Sequence, residues 1–140
     1  MLHWLLKTEP EEYSFDDLVK DKKAVWDGIR NYQARNFLKE MTLGDKAFIY
    51  HSGKEKTIVG IAEVVKGHYP DPSDKTNTWC VVELKAIKKL GKNFSLEEIK
   101  TDKNLQGLLL LKQSRLSVMP VNKKEYEYIL ARCHCNDSKI

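Results

Sequence analysis

Residues 26–38, WDGIRNYQARNFL, place a tryptophan ahead of a dense group of hydrogen-bonding side chains. Two arginines, two asparagines, a glutamine and an aspartate occupy positions that a segment built only for packing would give to aliphatic residues. A tryptophan is more often a core residue whose indole N–H has found a partner. Here Asp27, Arg30 and Asn31 surround the ring with donors and acceptors. This favours a stacking wall for a planar ligand whose edge the polar groups can read.

Two further groups of ring-bearing and polar residues are candidates for the same ligand. The first ends a predicted strand and combines a phenol, an imidazole and a hydroxyl, and the second is a tyrosine–proline pair that offers a flat surface. Each could instead pack in the core or at its rim, and for the nearby Trp79 we predict packing. The candidate residues are Tyr50, His51, Ser52, Tyr69 and Pro70.

Four cations are interleaved with these aromatic residues, which is the combination that nucleic acids select. Guanidinium groups pair bidentately with phosphate, and each base stacked on an aromatic ring contributes about 1–3 kcal/mol. Any one of the cations could instead be a solvated or salt-bridged surface charge. The candidates for phosphate contacts are Lys7, Arg30, Arg35 and Arg115.

Periodicity and capping residues predict the elements that must hold these groups in place. Apolar runs and alternation predict strands over 3–7, 24–26, 46–51, 57–65, 78–90 and 115–121. The predicted helix N-caps are Ser14, Asn31, Ser95 and Asn122, and a further helix is predicted over 104–112. Prolines make residues 69–74, YPDPSD, a predicted rigid loop. Strands clustered in mid-chain, with short helices before and after, indicate an α+β domain with a curved or barrel-like sheet.

The bulk composition is that of one soluble globular domain. The chain has 140 residues and a net charge of +4, which permits an anionic partner without requiring one. The longest apolar run, residues 108–111, is too short to span a bilayer, and residues 1–10 lack the basic n-region of a signal peptide. We therefore expect a monomer without membrane association, located in the cytoplasm, or in the nucleus if the organism is eukaryotic.

The cysteines predict neither a disulfide framework nor a metal site. Their number, three, is odd, and Cys133, His134 and Cys135 are too close in sequence to share one tetrahedral zinc ion without strain. We predict no cofactor, a single domain over residues 1–132 with Cys133 on the inner face of a terminal helix, and a C-terminal tail over 133–140.

Six distinctive segments follow one another between His3 and about Leu130. They are HWLLKTEPEEYSFDDL, VWDGIRNYQARNFL, FIYHS, IVGIAEVV, YPDP and RLSVMPV. This succession resembles the EVE domain family. The resemblance implies a PUA-like fold, a curved β-barrel surrounded by short helices, similar to YTH and ASCH domains. It also implies a non-catalytic reader of a modified nucleobase, above all of modified cytosine (5-methylcytosine or 5-hydroxymethylcytosine) in DNA.

The resemblance gives most of the candidate residues a role in one pocket. Lys7, Thr8 and Glu9 would line the floor, and Trp26 would be the first wall. Tyr69 and Pro70 would form the opposing wall, and Asn31 and Arg35 would lie at the mouth of the pocket. Tyr50, His51 and Ser52 would form its rim. Arg115 and Ser117 would lie close to the same pocket. On this assignment Trp26→Ala is expected to weaken binding of a modified oligonucleotide by about tenfold or more, with the melting temperature nearly unchanged.

Three alternatives remain open at this point. YTH relatives hold a methylated adenine of RNA in an aromatic cage, so the partner could be modified RNA. Some ASCH relatives hydrolyse acylated cytidine with a lysine, a threonine and a glutamate, which Lys7, Thr8 and Glu9 would match. Neighbouring residues of a strand point to opposite faces, however, so Lys7 and Thr8 would hardly meet, and we predict that the protein is not an enzyme. A sensor of a free nucleotide or a small heterocycle would share the pocket but not the phosphate contacts.

Overall fold

The computed structural model describes residues 1–133, which form one mixed β-sheet with short helices around it. The strands are β1 (His3–Thr8), β2 (Lys23–Trp26), β3 (Lys46–His51), β4 (Thr57–Pro70), β5 (Cys80–Ser95) and β6 (Val118–Val121). The helices are α1 (Phe15–Asp21), α2 (Tyr32–Glu40), α3 (Leu96–Thr101), α4 (Leu109–Lys112) and α5 (Lys123–Arg132), with a 3₁₀ turn at Lys103–Leu105. None of these helices has both the length and the apolar composition needed to cross a membrane.

The sheet is open within residues 1–133. Its order is β2-β5-β4-β3-β1-β6, in which β1 runs parallel to β3 and the other pairs are antiparallel. The edge strands β2 and β6 have four residues each and do not pair with one another. The α+β class is therefore confirmed, whereas the predicted closure into a barrel is not.

Local capping chemistry places the helices where the sequence predicts them. Ser14, Ser95 and Asn122 form reciprocal capping boxes at the starts of α1, α3 and α5. Asn31 caps α2 by accepting a hydrogen bond from the backbone N–H of Ala34 at 2.9 Å. These four helix starts are confirmed.

The predicted helix over 104–112 is wrong. The segment divides into the 3₁₀ turn and α4, because Leu108 takes an extended conformation between them, with φ −62° and ψ 134°. Leu105 and Leu108 are both buried.

Three strands differ from the prediction by more than one residue. β4 continues to Pro70 and β5 to Ser95, because their mutual ladder survives several register shifts. The first part of the predicted loop over 69–74 therefore belongs to β4. β6 is shorter than predicted and begins at Val118, since Leu116 N–H turns back to the carbonyl of Gln113 at 3.1 Å.

A buried carboxylate fixes the start of β1. Asp45, 1% exposed, accepts hydrogen bonds from the indole of Trp4 at 3.0 Å, from the backbone N–H of Leu2 at 3.1 Å, and from Thr42. Deeper in the core, a Cβ at Gly60 would meet the ring of Phe15 at 2.5 Å, so only glycine fits there. The Asp45 contacts hold the start of β1 beside the start of β3, and the parallel pairing of the two strands then positions the far end of β1, where Lys7 and Thr8 lie.

Candidate functional site

A cavity of about 520 Å³ lies beside Trp26, between the end of β1, β2 and the turn that leads to α1. It brings together five of the predicted site residues, Lys7, Thr8, Glu9, Trp26 and Ser117. Seven further residues line it that are not among the predicted site residues of the pocket, namely Glu12, Tyr13, Ala24, Val25, Asp27, Gly28 and Ile29.

Two aromatic rings form a corner of this cavity. The rings of Trp26 and Tyr13 are nearly perpendicular, with an interplanar angle of 79° and centroids 6.2 Å apart. The Tyr13 hydroxyl donates to Asp21 Oδ2 at 2.8 Å, which fixes the ring, and burial together with Asp21 raises the pKa of Tyr13. Trp26 is only 7% exposed, yet it borders the cavity. A planar group in the corner can stack on one ring and meet the edge of the other.

In residues 7–9, the KTE motif, the side chains of Lys7 and Thr8 are hydrogen-bonded to backbone carbonyls. Thr8 Oγ1 donates to the carbonyl of Tyr13 at 2.7 Å, which ties the end of β1 to the turn carrying the second ring. Lys7 Nζ donates to the carbonyl of Ser114 at 2.7 Å, and Lys7 N–H to that of Ser117 at 2.9 Å. Burial lowers the pKa of Lys7. Contacts within the fold therefore hold Lys7 and Thr8 in place at the floor of the cavity.

The charges that line the cavity are mainly negative. Glu9, Glu12 and Asp27 contribute three carboxylates against the single ammonium of Lys7. Carboxylates accept hydrogen bonds and repel phosphate. The cavity is thus suited to a neutral ring that presents N–H donors, and a phosphate would lie outside it.

The predicted rim residues Tyr50, His51 and Ser52 do not line the cavity. They contact residues at or next to it instead. Tyr50 is buried, with its ring centroid 5.7 Å from Lys7 Nζ. His51 Nε2 accepts the backbone N–H of Phe15 at 3.0 Å, so Nδ1 carries the proton toward Glu55 Oε1 at 2.8 Å. Ser52 N–H donates to the carbonyl of Thr8 at 3.0 Å.

The predicted opposing wall, Tyr69 with Pro70, lies elsewhere. Tyr69 is paired with Val81 on β5, whereas Trp26 is paired with Val82. Neighbouring strand residues point to opposite faces and paired residues to the same face, so the two rings lie on opposite faces of the sheet. The Tyr69 hydroxyl donates to Glu83 at 2.6 Å, which together with burial raises the pKa of Tyr69 to about 12. The second ring that lines the cavity is that of Tyr13.

A second depression, of about 350 Å³, contains the predicted residues Asn31 and Arg115. The Asn31 side-chain oxygen is already bound to the N–H of Ala34, while Arg115 is exposed and makes no ion pair within residues 1–133. The depression adjoins the cavity, because Lys7, which lines the cavity, donates a hydrogen bond to the carbonyl of Ser114, which lines the depression. Its other lining residues are Gln33, Lys112, Gln113, Ser114 and Leu116.

The guanidinium groups of the other two predicted phosphate contacts are engaged with the protein. Arg30 Nη1 lies 3.0 Å from Oδ2 of the buried Asp71, although 41% of the Arg30 side chain is exposed. Arg35 donates to Asn36 Oδ1 at 3.0 and 3.2 Å and to the carbonyl of Thr78 at 3.3 Å. Neither lines the cavity beside Trp26.

Within residues 1–133, no three His, Cys, Asp or Glu side chains are grouped so that they could hold a metal ion. Cys133 is buried at the C-terminal end of α5, as predicted. The rest of the predicted tail, including His134 and Cys135, lies outside the described residues.

The sequence model of the EVE domain matches residues 2–132, and the chain belongs to the EVE domain family. Thymocyte nuclear protein 1 of Mus musculus is 37% identical over an alignment of 163 residues. The alignment includes 92% of this chain and 72% of the relative. The human THYN1 protein, solved in complex with 5-methylcytosine-containing DNA, is 33% identical with a TM-score of 0.88, and 97% of this chain and 99% of that chain are covered.

A more distant likeness concerns the fold alone. A mutant form of the ZmASCH protein of Zymomonas mobilis is 12% identical with a TM-score of 0.59, and 94% of this chain and 98% of that chain are covered.

Proposed function

We propose that this protein binds DNA that carries a modified cytosine and holds the modified base, turned out of the helix, in the cavity beside Trp26. The observation that carries the proposal is the aromatic corner of Trp26 and Tyr13 above a rigid floor with acidic walls. The proposal is supported by the human THYN1 protein, which shares the fold and was solved with 5-methylcytosine-containing DNA.

The cavity has the size and chemistry for one base. Small-molecule sites typically have volumes of about 300–1,000 Å³, and this one has about 520 Å³. Turning a base out of a duplex costs a few kcal/mol, and stacking on Trp26 or Tyr13 offsets about 1–3 kcal/mol of that cost. The exocyclic amino group of cytosine is a donor, and Asp and Glu side chains are its natural acceptors. Glu9, Glu12 and Asp27 offer such acceptors.

The DNA backbone would be held outside the cavity. In the second depression Lys112 and Arg115 are both exposed and form no ion pairs within the described part of the chain. They are the first candidates for the phosphates that flank the modified base. Arg30 and Arg35 remain predicted phosphate contacts, with guanidinium groups that also have protein partners.

A binding screen tests the proposal. Duplexes of one sequence with 5-methylcytosine, 5-hydroxymethylcytosine or cytosine at one position, and an RNA with methylated adenine, are compared by fluorescence anisotropy. One of the modified cytosines is expected to bind about tenfold or more tightly than cytosine, since a good base contact is worth about 1–3 kcal/mol. Equal affinity for all the DNA duplexes would contradict the proposal, and a preference for the RNA would favour a reader of modified RNA instead.

Arg115→Gln tests the phosphate contact. A protein that neutralises one phosphate fewer shows a shallower dependence of log K on log salt, by about 0.9 per contact on duplex DNA. We therefore expect the slope to decrease by about that amount, with the preference for modified over unmodified DNA unchanged. Lys100→Gln, an exposed cation on α3, is the matched control and should leave the slope as it is. An unchanged slope in Arg115→Gln would remove Arg115 from the interface.

The geometry weighs against an amidohydrolase built on the KTE motif. A threonine nucleophile needs a base within hydrogen-bond reach. The Thr8 hydroxyl instead donates to the carbonyl of Tyr13, and the Lys7 ammonium to the carbonyl of Ser114. We therefore propose a binding function without catalysis.

A further inference from the structure

Two arginines and two aromatic rings form a partly exposed group next to the base cavity. The rings of Tyr32 and Trp79 have centroids 4.9 Å apart at an interplanar angle of 38°. Arg35 Cζ lies 4.9 Å from the Tyr32 centroid, and Arg30 Cζ lies 5.8 Å from the Trp79 centroid. We call this group of Arg30, Tyr32, Arg35 and Trp79 the stacking platform.

Tyr32 is far more exposed than a packing role requires. Its exposed fraction is 63%, so the contacts with Trp79 and Arg35 leave more than half of its surface to solvent. Trp79 packs, as predicted, but against this exposed ring and with part of its own surface accessible. An exposed ring with one guanidinium against it, and a second guanidinium against the adjacent Trp79 ring, suits a partner that is both planar and anionic.

The platform is held rigidly from below. Trp79 N–H donates to Asp74 Oδ2 at 2.8 Å, and the Trp79 carbonyl accepts the N–H of Asp71 at 3.0 Å. Arg30 is bound to Asp71, and Arg35 to the carbonyl of Thr78. A surface that is ordered in advance loses less entropy when a ligand binds.

The platform also lies beside the proposed DNA site. Arg30 directly follows Ile29, which lines the base cavity, and Tyr32 directly follows Asn31, which lines the second depression. Consecutive Cα atoms are about 3.8 Å apart. A DNA strand that places one base in the cavity would therefore pass close to Tyr32.

We propose that the stacking platform holds an unpaired nucleotide and so binds single-stranded DNA without reading its sequence. This inference rests on the proposed function only in that the partner is DNA. Every base has a flat face, so stacking on Tyr32 is independent of the sequence, and Arg30 and Arg35 supply charge for the neighbouring phosphates.

Two single-stranded probes separate the platform from the cavity. One is unmodified oligothymidylate, and the other is the same oligonucleotide with a single 5-methylcytosine, with affinities measured by fluorescence anisotropy. Tyr32→Ala is expected to weaken binding of both probes by about tenfold and to leave their ratio unchanged. Tyr32→Phe, which keeps the ring, should bind within about twofold of the native protein. Leu43→Ala is the control for loss of an exposed apolar side chain, since Leu43 is 74% exposed.

The outcomes distinguish this inference from the proposed function. The native protein could show no preference for 5-methylcytosine while Tyr32→Ala still loses about tenfold in affinity for both probes. That result would contradict the proposed function and support the role of the stacking platform. If Tyr32→Ala binds both probes as the native protein does, or if the native protein binds neither probe, the platform is overturned.

Fluorescence gives a second readout that does not require Tyr32 to be changed. In the variant Trp26→Phe, the remaining tryptophans are Trp79 and Trp4, and Trp4 is 1% exposed. Oligothymidylate stacked on the platform is expected to quench the fluorescence of Trp79. An emission spectrum that does not change at a saturating concentration of oligothymidylate would overturn the inference.

Discussion

Trp26→Ala is expected to lower the free energy of unfolding by about 3–5 kcal/mol and to abolish the preference for modified over unmodified DNA. The stability loss follows because the ring is only 7% exposed, and a buried aromatic replaced by alanine leaves a void. The binding loss follows because one ring of the stacking corner disappears. Denaturant unfolding and anisotropy measure the two effects. The expectation from sequence alone, a melting temperature nearly unchanged, is corrected by the burial of this ring.

Trp26→Phe separates the two effects. Phenylalanine keeps an aromatic face and most of the packing, so we expect a smaller stability loss and a partial preference for the modified base. Binding is compared at a temperature at which both variants are folded. If Trp26→Ala then discriminates the modified base as well as the native protein does, the cavity beside Trp26 is not where the base binds.

Asp71→Ala is expected to have the second largest effect, on stability and binding together. The Asp71 carboxylate is buried and accepts hydrogen bonds from Arg30, from Ser73 and from the backbone N–H of Gly28. Its removal leaves several donors without a partner, at about 2–3 kcal/mol, which is less than for a fully buried pair because Arg30 is partly exposed. Gly28 and its neighbours line the cavity, so DNA affinity should fall as well.

Asp71→Asn is the matched variant, since it keeps the shape and removes the charge. Burial alone would raise the pKa of Asp71, but hydrogen bonds from Ser73, Arg30 and Gly28 hold this pKa below its ordinary value of 3.8. The charge therefore stabilises the fold above that value, and this contribution is lost as the pH falls through the lowered pKa. The stability difference between the native protein and Asp71→Asn should accordingly be constant near neutral pH and shrink in acid. A difference that does not depend on pH would exclude this role of the charge.

Features set by neighbours in sequence were predictable. A capping box needs only a residue and its third successor, so Ser14, Ser95 and Asn122 identify helix starts without knowledge of the fold. That Lys7, Thr8, Glu9 and Trp26 line one cavity could also be predicted from the sequence, because the motifs that contain them are contiguous and resemble those of one family.

Features set by the sheet were not predictable. Tyr69 faces away from Trp26 because of the register of β4 against β5, which shifts several times before it reaches that residue. Tyr13 becomes the second ring because Thr8 holds the carbonyl of Tyr13 and thus folds the turn back over β1. The one clue in the sequence was that an aromatic residue lies between the KTE motif and the N-cap at Ser14.

The position of β2 at the edge of the sheet limits what side-chain replacement can reveal. Ala86 N–H donates to the carbonyl of Lys22 at 3.2 Å, and in an antiparallel pair such bonds recur at every second residue. Val25 therefore turns its amide and carbonyl away from β5, and Val25 lines the cavity. In the proposed complex these main-chain groups would be available to hydrogen-bond the base, whichever amino acid occupies the position. Alanine scanning would not detect such contacts, because it leaves the main chain unchanged. An ester bond in place of the amide at Val25 removes the N–H, and the resulting change in DNA affinity would measure its contribution.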